Sequence, residues 1–204
     1  MSVHERKERE RADRHRLIVR TARELAESQG WAAVTTRRLA ERIEYSQPVL
    51  YSHFRGKREI VGAVAVEGSA ELAATLRAAV AGAPTAHAAV GALARAYVDF
   101  AERNPALYDA IFLLDNGLRY ADADTPAALR EAFAALGEPF TGHGGADTAG
   151  LAIETFWASL HGLVTLTRAG RLPAAQGAER LALLADRFAP RPEEPGPAVT
   201  GNTA

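Results

Sequence analysis

The chain has 204 residues, of which 48% are hydrophobic, and a formal net charge of −1. This size and apolar content suffice for one or two compact units with a sizeable core. The absence of cysteine excludes disulfides, thiolate zinc sites and cysteine nucleophiles. No apolar run reaches about 18 residues and no signal-peptide pattern opens the chain, so we expect a soluble, cytoplasmic protein without a membrane partner.

Charge is distributed unevenly along the chain. Residues 1–60 contain 14 Lys and Arg against 9 Asp and Glu, whereas the remainder contains 10 against 16. A basic N-terminal unit followed by an acidic one is typical of a phosphate-facing domain joined to a domain that does not bind nucleic acid. Ordinary solvated helix faces also produce a modest excess of this kind. Composition alone leaves both interpretations open.

Residues 1–12 are highly charged and lack an apolar period, which predicts a disordered arm. Glutamates nearly cancel its basic side chains, so we expect a solvated tail rather than phosphate contacts; the basic residues are Arg6, Lys7, Arg9 and Arg11. A first helix is predicted from Asp13, as a candidate cap, to Gly30. Its buried stripe comprises Leu17 or Ile18, Ala22, Leu25 and Ala26.

Residues 35–60 predict two short helices separated by a tight turn. Thr35 and Thr36 are N-cap candidates for the first helix, and Ser46 for the second, where Pro48 is tolerated in the first turn. The inward positions at helical spacing are Leu39, Ala40, Ile43, Val49, Leu50 and Phe54. Those left on the outer face of the second helix are Gln47, Pro48, Tyr51 and His53. This is the geometry that enters a DNA major groove.

The rest of the chain continues as helices. The segments run from Ile60 to about Val80, from Thr85 through an apolar stripe at Val90, Leu93, Ala94, Tyr97, Phe100 and Ala101, over Pro105–Leu114, from Thr125-Pro126 to about Leu136, over 147–169 and over 174–188. Composition predicts a glycine-rich loop over 141–146 and a disordered tail over 190–204. No stretch alternates with period two, so we predict an all-α fold of about nine helices, with domains at 13–60 and 61–189.

The run Ser46–Lys57 resembles the signature of TetR-family transcriptional regulators. Gln-Pro, Leu-Tyr, His and Lys stand at matching spacings, and the similarity extends upstream to Leu17. One departure is Glu44, where the family usually has Gly. Gly adopts a left-handed turn without steric cost, so Glu should cost about 1 kcal/mol or force a different turn.

The resemblance implies an interface with double-stranded DNA. Gln47 would read a base edge, best as a bidentate pair with adenine, and Pro48 and Val49 would meet a thymine methyl group. The residues implied to hold phosphates are Thr36, Arg37 or Arg38, Tyr51, His53 and Lys57, with the caps Thr35 and Ser46 in the same surface. Phosphate contacts would set register without carrying sequence.

A second resemblance lies in Phe156–Val164, which is similar to the Trp-His-Gly motif of one TetR subgroup. It implies a C-terminal domain that dimerises through its last two long helices and holds a ligand cavity. Helix 147–169 is apolar around much of its circumference, which favours a homodimer formed with helix 174–188. The alternative is that both helices only complete the core of a monomer.

Aromatic side chains could line a cavity for an unknown small-molecule effector. The candidates are Tyr97, Phe100, Tyr108, Phe112, Phe133, Phe156, Trp157 and His161. Aromatic residues at helical spacing are also ordinary core, and His161 could equally be a core histidine. No basic cluster in this part of the chain requires an anionic ligand.

The expected function is a homodimeric repressor that binds a pseudo-palindromic operator and is released by a small, mostly apolar ligand. The alternatives are a helical protein-interaction module and a ligand-independent regulator, whether an activator or one that depends on a co-repressor. Enzymatic activity is not expected. His143 lies in a glycine-rich loop without a G-x-S-x-G partner, and Gly56-Lys57-Arg58 is not a phosphate loop. We also expect no cofactor and no metal site.

Overall fold

The computed structural model describes residues 2–140 and 146–189. The predicted tail and almost all of the predicted glycine-rich loop lie outside these ranges. Nine α-helices are present in the described part: α1 Val3–Gln29, α2 Thr36–Arg42, α3 Gln47–Tyr51, α4 Lys57–Val80, α5 Ala86–Arg103, α6 Pro105–Phe112, α7 Ala127–Gly137, α8 Ala146–Arg168 and α9 Gly177–Phe188. The all-α prediction is confirmed. No helix among these residues is long and apolar enough to cross a membrane.

The N-terminal segment differs from the prediction, because α1 begins at Val3. Ser2 and Glu5 form a capping box: the Ser2 hydroxyl accepts the Glu5 N–H at 3.2 Å, and the Glu5 carboxylate accepts the Ser2 N–H at 2.8 Å. Glu10 lies 3.8 Å from both Arg6 and Arg14. The prediction of a disordered arm over 1–12 is therefore wrong. Glu5 completes the N-terminal cap, and Glu10 forms ion pairs with Arg6 and Arg14, each four residues away. Both kinds of interaction stabilise a helix.

The turn between α2 and α3 forms as the motif predicts. Thr35 is the N-cap of α2, and its hydroxyl accepts the Arg38 N–H at 3.2 Å. Glu44 takes a left-handed conformation with φ of 58°, so it adopts the turn that glycine would adopt. Ser46 stands at the N-cap of α3, although its side chain makes no capping hydrogen bond.

Helix α4 is the centre of the fold, since it packs on α1, α5, α6 and α7. Gly68 permits the close approach of α6, because a Cβ at this position would overlap the Leu107 side chain. The Glu27 carboxylate on α1 accepts the backbone N–H groups of Ala106, at 3.1 Å, and Leu107, at 2.9 Å. The first turn of α6 is therefore fastened to the C-terminal end of α1.

Three helix ends differ from their predicted positions. Helix α6 ends at Phe112 rather than 114, since the N–H groups of the next two residues both donate to the Asp109 carbonyl at 2.9 Å. Pro126 is the N-cap of α7 rather than its first residue, because the Thr125 hydroxyl accepts the Asp122 N–H instead of capping the helix. A 3-10 turn, Ala174–Gln176, separates Pro173 from α9.

Candidate functional site

The outer surface of α3 presents the side chains proposed to read DNA. Gln47 and Pro48 are exposed, and Tyr51 is 52% exposed. The Tyr51 hydroxyl lies 3.5 Å from the Thr36 hydroxyl at the start of α2. The structure thus brings the two predicted phosphate-binding hydroxyls together at one edge of the surface.

The inner side of α3 and the residues that follow it are packed into the core. Leu50 is 0% exposed and Phe54 is 4% exposed, both within the core that α1 and α4 share. Val49 is half-buried, so only part of its side chain is available to a base. A helix of five residues is too short to be stable alone, so this packing positions the outward side chains.

The three basic residues predicted to hold phosphates already have partners inside the protein. Arg37 forms an ion pair with Glu41 at 2.9 Å, and this hydrogen bond raises the pKa of Arg37. The Arg38 guanidinium donates to the Gln29 side chain at 2.7 Å. The Lys57 ammonium donates to the Trp31 carbonyl and keeps two N–H groups for a phosphate.

His53 follows the C-terminal end of α3 and packs against α1 instead of lying on the outer surface. Its ring centroid is 6.5 Å from that of His15, in an edge-to-face arrangement. Burial lowers the pKa of His53, and the nearby positive charges of Arg11 and Arg14 lower it further. The Arg11 guanidinium also donates to the Ser52 carbonyl at 3.3 Å. The interpretation of residues 1–12 as disordered missed the role of Arg11, although its spacing of three and four from Arg14 and His15 is the signal of a shared helix face.

Five of the predicted ligand-binding residues form one aromatic cluster in the C-terminal part. The ring centroids of Tyr108 and Phe112 are 4.9 Å apart, and both lie 5.7 Å from that of His161. Phe112 also packs on Trp157 at 5.8 Å, and Tyr97 packs edge-on against Tyr108 at 5.9 Å. These rings pack against one another, as the side chains of a protein core do.

A chain of hydrogen bonds runs through this aromatic cluster. The Trp157 indole N–H donates to the Tyr97 hydroxyl at 3.1 Å, which lies 3.1 Å from the Tyr108 hydroxyl, and that hydroxyl lies 2.7 Å from Nδ1 of His161. An indole N–H can only donate. Every hydroxyl proton is used if Tyr97 donates to Tyr108 and Tyr108 donates to Nδ1. His161 is then neutral, with its proton on Nε2.

Burial favours the uncharged form of Tyr97, Tyr108 and His161. It raises the pKa of Tyr97 above its usual range and raises the pKa of Tyr108 to about 12. It also lowers the pKa of His161. Both tyrosines therefore stay protonated near neutral pH, and His161 favours its neutral form.

The other three predicted ligand-binding residues lie elsewhere. Phe156 belongs to a second aromatic group, with ring centroids 5.3 Å from Phe140 and 5.2 Å from Phe188. Phe133 is 39% exposed and packs on Trp157 with ring centroids 6.3 Å apart, and Phe100 is 4% exposed. The structure does not gather all eight candidates into one site.

A cavity of about 590 Å³ lies between α5, α8 and α9. Its apolar wall includes Val98, Leu163 and Leu181, and Arg95 and Arg168 line it as well. None of the predicted ligand-binding residues lines this cavity. Arg168 nevertheless connects it to the aromatic cluster, since the guanidinium carbon lies 5.8 Å from the Tyr108 ring centroid.

Comparison with known families decides the identity of the chain. The sequence-family model described as "Bacterial regulatory proteins, tetR family" matches residues 18–64, and the model "Tetracyclin repressor-like, C-terminal domain" matches residues 90–188. The chain belongs to the TetR family. TetR proteins are DNA-binding transcriptional regulators and not enzymes, so the expectation that this chain is not an enzyme is confirmed.

Individual TetR relatives match parts of the chain. The class C tetracycline repressor protein of Escherichia coli is 50% identical over 48 residues, which are 24% of this chain and 22% of the repressor. The uncharacterised HTH-type transcriptional regulator YobS of Bacillus subtilis (strain 168) is 34% identical over 98 residues, which are 48% of this chain and 51% of YobS. The matches thus span no more than about half the length of these curated relatives.

Similarity over the whole fold comes from a solved structure. A protein of unknown function from Rhodococcus sp. RHA1 superposes with a TM-score of 0.70 at 27% identity. The superposition covers 85% of this chain and 92% of that chain.

Among the described residues, no group of three or more His, Asp or Glu could hold a metal ion.

Proposed function

We propose that this TetR protein is a transcriptional repressor that binds a pseudo-palindromic operator as a homodimer. The observation that carries the proposal is the outward presentation of Gln47, Pro48 and Tyr51 on a short helix whose inner side chains are buried. Side chains held this way can enter a major groove without rearrangement. The chain divides for this purpose into a DNA-binding domain at 13–60 and a ligand-binding and dimerisation domain at 61–189.

In this proposal each residue of the DNA surface has a distinct task. Gln47 reads a base edge, and Pro48 with the exposed part of Val49 meets a thymine methyl group. Thr36 and Tyr51, whose hydroxyls are adjacent, bind one phosphate region. Lys57 binds phosphate with the N–H groups that the Trp31 carbonyl leaves free. Arg37 and Arg38 bind phosphate with the guanidinium N–H groups that Glu41 and Gln29 leave free, and the carboxylate of Glu41 offsets part of the charge of Arg37.

Support for the dimer comes from apolar side chains exposed on the last two helices. Leu151 is 66% exposed and Leu166 is 46% exposed on one side of α8, and Leu183 on α9 is 68% exposed. Large apolar side chains left in water at this level favour burial against a second copy. A two-fold dimer would set the two α3 helices about 34–36 Å apart, the repeat of successive major grooves.

The proposed effector is a small, mostly apolar molecule. The aromatic cluster is satisfied by its own ring packing and hydrogen bonds, so we place the effector in the cavity between α5, α8 and α9. Arg168 lines this cavity and also pairs with Asp109 of α6 at 2.9 Å. An effector there would act on α6 and on the cluster through Arg168, and a difference in affinity of about 1–3 kcal/mol between two dimer states would suffice for release.

The motif around Trp157 and His161 also leads us to place the chain in the Trp-His-Gly subgroup.

Selection from a random duplex library at two salt concentrations tests the proposal. The expected result is an enriched inverted repeat whose binding weakens steeply with salt. Gln47→Ala should change the base preference at one position of each half-site by about 1–3 kcal/mol. Lys57→Ala is the comparison variant, because removal of a phosphate-binding cation should weaken binding to all sequences alike and lower the salt slope by about one. Absence of enrichment by an intact dimer would refute the proposal and favour a helical protein-interaction module.

A further inference from the structure

The N-terminal end of α1 continues past α3, the helix proposed to read DNA and called the reading helix below. The C-terminal end of α1 is fastened to α4 and α6 by the Arg23–Glu71 ion pair and by the hydrogen bonds of Glu27. Towards its N-terminus the helix passes α3, where the His15 and Phe54 ring centroids are 4.7 Å apart. At 1.5 Å per residue, residues 3–10 extend roughly 12 Å beyond Arg11 and away from the rest of the fold.

Helix formation sorts the charges of this segment onto different faces. At 100° per residue, Lys7, Arg11 and Arg14 lie within about 60° of one another on the stripe that continues into the buried Ile18. Glu5 and Asp13 point to other sides, whereas Glu10 borders the stripe beside Arg14, with which it pairs at 3.8 Å. Glu8 borders the basic stripe and is paired with His4 at 3.1 Å. A sequence that is nearly neutral as a disordered arm therefore presents one basic face as a helix.

The basic stripe lies next to the reading helix. The Arg11 guanidinium donates to the carbonyl of Ser52, the residue that ends α3, at 3.3 Å. Both Arg11 and Arg14 act electrostatically on His53. Within the described part of the chain, neither Lys7 nor Arg11 has a carboxylate within 4.0 Å, and Arg14 has only Glu10 at 3.8 Å. These cations thus face the same side as the C-terminal end of α3, where Glu10 offsets part of the charge of Arg14 only.

We infer that Lys7, Arg11 and Arg14 form a second phosphate-binding element that contacts the DNA backbone beside the base pairs read by α3. The inference rests on the proposed function and adds to it residues that lie outside the helix-turn-helix. The element consists of exposed cations that contact phosphates rather than base edges, so its contacts carry no base preference and add affinity through counterion release. Arg11 also positions the stripe through its hydrogen bond to Ser52.

Lys7→Gln and Arg9→Gln form a matched pair for testing this element. Each removes one positive charge from an exposed site, and Gln supports a helix about as well as Lys or Arg. Arg9 lies on the opposite side of α1 and has no ion pair among the described residues. Arg14→Gln is a second test variant on the basic stripe. Circular dichroism before the binding assay checks that all four proteins have the same helix content.

Binding to a fluorescent duplex of about thirty base pairs without a selected sequence is measured between about 50 and 200 mM salt. Lys7→Gln should lower the slope of log K against log salt by about 0.9 for each phosphate that it ceases to neutralise, equivalent to about fivefold weaker binding per phosphate at 0.15 M salt. Arg9→Gln should keep the wild-type slope. Equal slopes for Lys7→Gln, Arg14→Gln and Arg9→Gln, with wild-type protein binding steeply, would overturn this inference and leave the proposed function standing. Wild-type protein that does not bind the duplex at all would overturn both.

Discussion

The turn between α2 and α3 contains a glutamate where a glycine would be less strained. Glu44 has a φ of 58°, in the left-handed region, and its side chain is exposed. Its backbone N–H donates to the Glu41 carbonyl at 3.4 Å, a bond that any residue but proline retains. We expect Glu44→Gly to stabilise the protein without changing the path of the turn.

The size of the effect follows from two opposing contributions. A left-handed conformation costs an L-residue about 1–2 kcal/mol, and Gly removes that cost. Gly also loses more backbone freedom on folding, which offsets about 0.5–1 kcal/mol. The net gain in the free energy of unfolding should be about 0.5–1 kcal/mol, which raises the melting temperature by about 1–4 °C for a chain of this length.

Equilibrium urea unfolding followed by circular dichroism measures this difference through the midpoint. Glu44→Ala is the control, because it removes the carboxylate but keeps the Cβ that causes the strain. We expect Glu44→Ala to remain within about 0.5 kcal/mol of the wild-type protein, as surface substitutions usually do. If Glu44→Gly were no more stable than Glu44→Ala, the assignment of strain to this turn would be refuted.

Three further predictions concern the C-terminal part. Tyr108→Phe should lower the free energy of unfolding by about 1–3 kcal/mol, because Nδ1 of His161 and a hydroxyl of the aromatic cluster lose their partner. Stability should fall as pH drops below about 6.5, since the lowered pKa of His161 means that the unfolded chain takes up the proton first. The contribution of His161 to stability is fully present above that pH and is lost as the pH falls through the pKa of His161 in the folded protein. Gly68→Ala should destabilise by about 1–3 kcal/mol, because the new Cβ would overlap Leu107.

Each of these predictions has a control in the same chain. Tyr51→Phe removes a hydroxyl from an exposed ring and should have little effect, so equal losses for both Tyr→Phe variants would contradict the buried chain of hydrogen bonds. His161→Gln should reduce the pH dependence measured by urea unfolding, whereas His4→Gln should not. Gly150→Ala in α8, where a Cβ would meet no atom within 4 Å, should not destabilise; if it matched the loss of Gly68→Ala, overlap would not be the cause.

The sequence by itself determined most of the helical framework and the family. Local signals were sufficient where each one acts within a few residues, as with the Thr35 cap, whose hydroxyl accepts the N–H group three residues later. The apolar stripe of α5 is buried as predicted. The run Ser46–Lys57 led to the family because its side chains lie at fixed spacings on one short segment. The disordered arm was wrong, since net charge was considered without the helical positions of the charges.

Only the tertiary structure decided how the candidate site residues are used. The sequence could not show that Lys57 and Arg38 donate to groups 26 and 9 residues away in the chain. Nor could it separate Phe156 from the cluster around Tyr108, or place the cavity away from both. The physical reason is that helical periodicity states which side of a helix is buried, whereas neighbours across helices depend on how side chains from distant segments pack together.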